Sequence, residues 1–194
     1  MDLFYSDISK NQETTWEKLL DDLNNTTKYN PYCYQQDFYS VFKHIILSLL
    51  LEKEIVLLDS DFSKEEIQKL TGLTNLNKNI FPIIKSEKQV INNKTELINR
   101  IKDTGSNWSM TLFTSGTTGL PKKVVHSFQS ITRFVKTTEI NKANVWGFAY
   151  NPTHMAGIQV FFQALLNGNL IIRLFGLSKE QIFNSIKKFD ISNI

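Results

Sequence analysis

Hydroxyls, glycines and a lysine crowd into one stretch, Thr114-Ser-Gly-Thr-Thr-Gly-Leu-Pro-Lys122, and the chemistry such a mixture suits is the holding of phosphate oxygens. Gly116 and Gly119 permit positive φ and leave backbone N–H groups uncovered; Thr114, Ser115, Thr117 and Thr118 add hydroxyl donors, and Lys122 a cation. A Walker loop would need four residues between its glycines, a lysine next to the second and a helix behind. Here two residues separate Gly116 from Gly119, Pro121 precedes the lysine, and Val124-Val125 continue as strand. The P-loop NTPase reading is excluded.

A second cluster follows at Pro152-Thr-His154-Met-Ala-Gly157. The proline fixes a turn, and Gly157 lets backbone approach a ligand where a helix begins. Taken alone, a histidine in that place is commonly a cap or a surface residue.

The elements that must position these residues can be read from periodicity. Trp108–Phe113 and Val124–His126 are β-branched or aromatic and read as strands on either side of the loop. Ser127 can cap a helix with Ile131, Phe134 and Val135 inward, and His126 before it is assigned a structural role. Val145–Ala149 is a strand delivered onto the second cluster; Ile158, Phe161, Phe162, Leu165 and Leu166 make the core stripe of the helix behind it, stopped at Asn167-Gly168. Leu170–Leu174 is the next strand, and Ser178–Gln181 a capping box opening a helix through Ile182, Ile186 and Phe189. Upstream, residues 1–36 read as a polar stretch with one amphipathic helix carrying Trp16, Leu19, Leu20 and Leu23, then a loop. Asp37 caps a helix with Phe38, Val41, Phe42, Ile45, Ile46, Leu49 and Leu50 on one face and His44 on the exposed side; Ile55–Leu58 is a buried strand ended by Asp59-Ser-Asp61. A capping box at Ser63–Glu66 opens a helix that Thr71-Gly72 stops, Ile80–Ile84 with Pro82 is an edge strand or bend, and Thr95–Lys102 is a helix. Strands alternating with helices give the α/β class, a layered arrangement of sheet and helices.

Thr114–Lys122 resembles, without a gap, the Ser/Thr/Gly-rich signature of the AMP-forming adenylating enzymes, which include acyl-CoA synthetases, luciferases and the adenylation domains of peptide synthetases. Lys123 stands where that family usually has glycine. Pro152–Gly157 is similar to the family's P-x-x-H-x-x-G element in content, order and distance from the loop. The resemblance implies that a carboxylate attacks the α-phosphorus of MgATP, releasing pyrophosphate and forming an acyl-adenylate, after which a thiol, usually of coenzyme A, takes the acyl group. It implies that Thr114, Ser115, Gly116, Thr117, Thr118, Gly119 and Lys122 hold ATP phosphates, that Lys122 and His154 are the catalytic pair, and that His154 and Gly157 meet the carboxylic acid. No metal ligand is assigned. The acid could be fatty, aryl or succinylbenzoate-like; the short N-terminal region is similar to the compact succinylbenzoate ligases.

The family's later elements, which position magnesium, adenine and ribose and supply a second lysine, find no counterpart here. The expectation is therefore a truncated version of the family's N-terminal part: a reduced N-terminal subdomain over 1–107, and the phosphate-loop and acid-pocket part over 108–194, forming one compact unit inactive on its own. A non-catalytic nucleotide-binding module and a structural or assembly domain are the alternatives. The tail Ile191–Ile194 reads as the start of a strand, expected to be disordered or paired with another chain through self-association.

Composition narrows the setting. The net charge of +3 is spread among scattered lysines, which gives no case for nucleic acid, and the longest apolar runs fall far short of the roughly 20 residues of a membrane span. A single cysteine, Cys33, excludes an internal disulfide and favours a reducing, cytoplasmic setting.

Overall fold

The computed structural model describes residues 2–72, 84–85 (backbone only), 90–114 and 121–194. Two four-stranded sheets organise them. The first runs β2 (Gln12–Thr15), β1 (Leu3–Asp7), β10 (Leu170–Arg173), β9 (Val145–Phe148); β1 and β9 lie parallel to β10, and β2 is antiparallel to β1. The second runs β4 (Tyr32–Cys33), β5 (Ile55–Leu57), β7 (Ser109–Thr114), β8 (Lys122–Ser127), parallel as far as β7, with β8 folded back antiparallel. A two-stranded ribbon joins β3 (Lys28–Tyr29) to β6 (Ile84–Lys85).

Local chemistry sets the helices. Thr15, Asp37, Asn93 and Ser127 accept backbone N–H groups at the starts of α1 (Trp16–Asn24), α2 (Phe38–Leu50), α4 (Lys94–Lys102) and α5 (Phe128–Thr132). Full capping boxes open α3 (Lys64–Thr71) and α7 (Lys179–Phe189). Gly168 ends α6 (Met155–Asn167) at φ 69°, a left-handed cap that any other residue would adopt under strain.

One hydrophobic core joins both sheets: Phe4, Tyr5 and Ile171 from the first and Ile55, Met110 and Leu112 from the second meet the buried faces of α1, α2, α4 and α6. Phe42 of α2 stacks on Phe161 of α6 with centroids 4.5 Å apart. Trp108, leading into β7, donates its indole N–H to Ser48 of α2 at 2.9 Å, which anchors the strand that delivers the loop. On the other face of the second sheet, Val56, Leu58 and Ile67 form a smaller cluster under Phe62 and Phe113.

Several expectations are corrected. The first fifteen residues hold two strands, and β1 is interior to its sheet; it is buried along most of its length, so it lacks the alternation that betrays a half-exposed strand. His44 is half-buried, donating to the Asn30 carbonyl and packing edge-on against Tyr29. α5 ends at Thr132, leaving Phe134 69% exposed instead of inward. The tail is not disordered but lies along β9: Gly147 donates to Asn193 at 2.7 Å and Ser192 to Val145 at 3.0 Å, extending the first sheet. Most of the segment 80–84 lies outside the described residues. Cys33 is buried, which pushes its thiol up to about 12. Among the described residues no helix is long and apolar enough to cross a membrane.

Candidate functional site

Because β5 and β7 run parallel, their carboxyl ends open on one side, the place where α/β sheets receive ligands. A cleft of about 530 Å³ lies there. Asp59 and Phe62 enter it from beyond β5, Phe113 and Thr114 from the end of β7, His126 from β8, and His154 from the start of α6.

The β7–β8 hairpin sets the first group. Thr114 lies opposite Lys122 in the ladder, and Met110 opposite His126. Successive side chains on a strand alternate between faces, so Lys122 shares its face with His126 while Lys123 takes the other. Thr114, Lys122 and Lys123 are exposed, and His126 is half-buried. Burial pushes the His126 imidazole below the ordinary histidine range. His126, read from the sequence as structural, lies in the wall of the cleft. Ser115, Gly116, Thr117, Thr118 and Gly119 lie outside the described residues.

The second group is built by the turn from Tyr150 to His154. The Asn151 side-chain oxygen accepts the Thr153 N–H at 2.9 Å and hydroxyl at 2.8 Å, and its backbone carbonyl accepts the His154 N–H at 3.2 Å. His154 is then the N-cap of α6, and its side chain makes no capping hydrogen bond to the first turn, the positive end of the helix dipole. Gly157 is buried, and a Cβ there would sit 2.3 Å from the Asn151 carbonyl oxygen. The missing side chain makes room for the turn that carries His154.

The sequence did not reveal Asp59 as part of the site. Its carboxylate lies 2.6 Å from His154 Nε2 and accepts from the Asn151 amide at 3.2 and 3.3 Å. The available signal was an acid just beyond a buried strand, at the edge where ligands bind. Among the described residues no group of three or more His, Cys, Asp or Glu could hold a metal ion.

The sequence profile described as AMP-binding enzyme matches residues 43–192. The chain belongs to that family. No curated protein matches the chain. Among solved structures, the fold is similar to o-succinylbenzoate CoA synthetase (MenE) from Bacillus subtilis in complex with the acyl-adenylate intermediate OSB-AMP, at 17% identity and a TM-score of 0.63, covering 97% of this chain and 57% of that one. The complex of the same synthetase with ATP and magnesium ion matches at 15% identity and TM-score 0.63, over 98% and 45%. The luciferase-like enzyme of the mealworm Zophobas morio matches at 16% and 0.60, over 98% and 55%. The chain thus spans about half the length of these solved relatives. The family likeness agrees with the α/β architecture.

Proposed function

We propose that this chain carries the phosphate-holding and acid-contacting part of an AMP-forming acid:thiol ligase, in which a carboxylic acid and MgATP give an acyl-adenylate and coenzyme A then takes the acyl group. The observation that carries the reading is the gathering of Thr114, the β8 strand of Lys122, and His154 at the uncapped start of α6 around one cleft at the carboxyl ends of parallel strands. Family membership and the complexes of the neighbouring synthetase with ATP and with its acyl-adenylate agree with it.

The work of such a site is positioning and charge stabilisation. As the acid's oxygen bonds to the α-phosphorus, the bond to the β-phosphate oxygen breaks and negative charge grows on the departing pyrophosphate. Lys122 and the Thr114 hydroxyl, with Ser115–Gly119, hold those oxygens. His154 and the first-turn N–H groups of α6 face the acid's carboxylate, where a helix start favours an anion. Gly157 serves this part by letting the turn close. Residues 108–194 supply these groups, and 1–107 supply the strands and helices that hold them.

The test is MgATP titration of the 194-residue chain together with carboxylate-dependent ATP–pyrophosphate exchange. MgATP binds, Lys122→Ala weakens it about tenfold or more, and Lys123→Gly changes it less than threefold, because alternation sets Lys123 on the other face. Exchange stays silent without the magnesium- and ribose-holding elements. Exchange by this chain alone would contradict the view that its site is incomplete. Unchanged MgATP affinity in Lys122→Ala would sink the assignment of the loop, and an MgATP affinity that no carboxylic acid added to the titration alters would favour a non-catalytic module.

A further inference from the structure

His154 is well exposed, and an exposed imidazole on two free torsions has several orientations of similar energy. Here one is selected from ninety-five residues away. His154 Nε2 lies 2.6 Å from Asp59 Oδ2, and Asp59 has only 8% of its surface exposed. An ionised carboxylate can only accept, so Nε2 carries a proton and Nδ1 is the ring nitrogen left for a ligand.

Asp59 is itself held from two other sides. The Asp61 N–H donates to Oδ1 at 3.0 Å, and the Asn151 amide nitrogen reaches Oδ1 at 3.3 Å and Oδ2 at 3.2 Å. The Asn151 amide has no freedom to turn over, because its oxygen already takes two donors from Thr153. The same residue's backbone carbonyl fixes the His154 N–H and occupies the space a side chain at 157 would need. The loop beyond β5, the turn and the start of α6 are thereby locked into one constellation with the imidazole at its open end.

We propose that Asp59 is the positioning residue of His154: it pins Nε2–H to its carboxylate and presents Nδ1 to the carboxylate of the acid in the cleft. The inference rests on the reading of His154 as the acid contact. Since the acid's carboxylate is also an acceptor, the liganded ring donates from both nitrogens, to Asp59 on one side and to the acid on the other. Fixing the ring matters because a misplacement of about 1 Å in such a contact can cost on the order of 100-fold in rate.

The test uses the full chain with 15N-labelled histidine, and two-bond 1H–15N spectra in which His154 is one of three histidines, assigned by its loss in His154→Gln. The unmodified chain shows the Nε2–H signature at His154, which requires no variant; an Nδ1–H signature there overturns the proposal. Asp59→Asn can offer either an amide oxygen or an amide N–H, so a substantial share of molecules moves the proton to Nδ1, whereas Asp59→Glu keeps it on Nε2. An unchanged His154 spectrum in Asp59→Asn, with thermal unfolding showing the variant folded, also overturns it. Benzoate, octanoate and o-succinylbenzoate form the ligand panel. At least one shifts His154 Nδ1, and its dissociation constant rises about tenfold in Asp59→Asn. Silence across the panel with the Nε2–H signature intact overturns the acid-contact reading, and Asp59's role in acid binding with it, while leaving the Asp59–His154 pairing in place. The two failures are thus separable.

Discussion

The space where residue 157 would carry a Cβ is taken by the backbone carbonyl oxygen of Asn151, 2.3 Å away. Two further demands meet on that oxygen's residue, whose side chain ties Asp59 to Thr153. A glycine that local reasoning assigns to ligand approach is in this fold what permits the turn beneath the histidine.

Gly157→Ala therefore destabilises the chain even though alanine favours a helix over glycine by up to about 1 kcal/mol. The clash is with backbone, and no rotamer change relieves it. Overpacking of this kind costs about 1–3 kcal/mol, so after the full propensity gain the net effect is a loss of up to about 2 kcal/mol, read as a lower urea midpoint with an unchanged slope. A midpoint equal to or above that of the unmodified chain would show that the turn gives way freely.

Arg173 of β10 pairs with the buried Asp7 of β1 at 2.7 Å and lies over the Phe38 ring. Arg173→Met keeps most of the stem on Phe38 and strands the Asp7 charge, for a loss of about 3 kcal/mol, the low end for a broken buried pair because Ser9 still donates to Asp7. Adding Asp7→Asn recovers part of it, and a double variant no better than the single one would refute the account. Acid acts on the same group. Burial works to raise the Asp7 carboxyl, but the bonds from Ser9 and Arg173 outweigh it and hold it below the usual carboxylate range. Its contribution is complete above about pH 4, the unfolded value, and is lost as pH falls through the lower folded one.

Burial lowers the His44 imidazole despite its bond to the Asn30 carbonyl. The unfolded chain, with a histidine near pH 6.5, then takes up the proton first, so stability falls as pH drops below about 6.5 toward the folded value. His44→Gln reduces the drop in melting temperature between pH 7.5 and 5.5, leaving the share that His126 contributes in the same direction. An unchanged drop in His44→Gln would assign the effect elsewhere.

Features written in a few neighbouring residues were legible in the sequence. The capping boxes at Ser63 and Ser178, the stops at Gly72 and Gly168, and the buried stripe from Ile158 to Leu166 each depend on atoms within a turn or two of chain. Family membership was legible for a related reason, since Thr114–Lys122 and Pro152–Gly157 are contiguous runs. β1 escaped because a strand buried nearly throughout has no period to display, and His44 because its cover comes from Tyr29 and Asn30 on another segment.

The sequence by itself determined which segments become helices, where most of them start and stop, the α/β class, and the two motifs. Tertiary structure alone decided that β8 folds back on β7 and sets Lys122 and His126 on one face, that the tail adds to β9, and that Asp59 meets His154. Caps and stripes are satisfied within a few residues, so composition and spacing suffice to reveal them. Pairings across ninety-five residues form only once the shared core has brought the parallel strands and α6 together, and no local pattern records their distance.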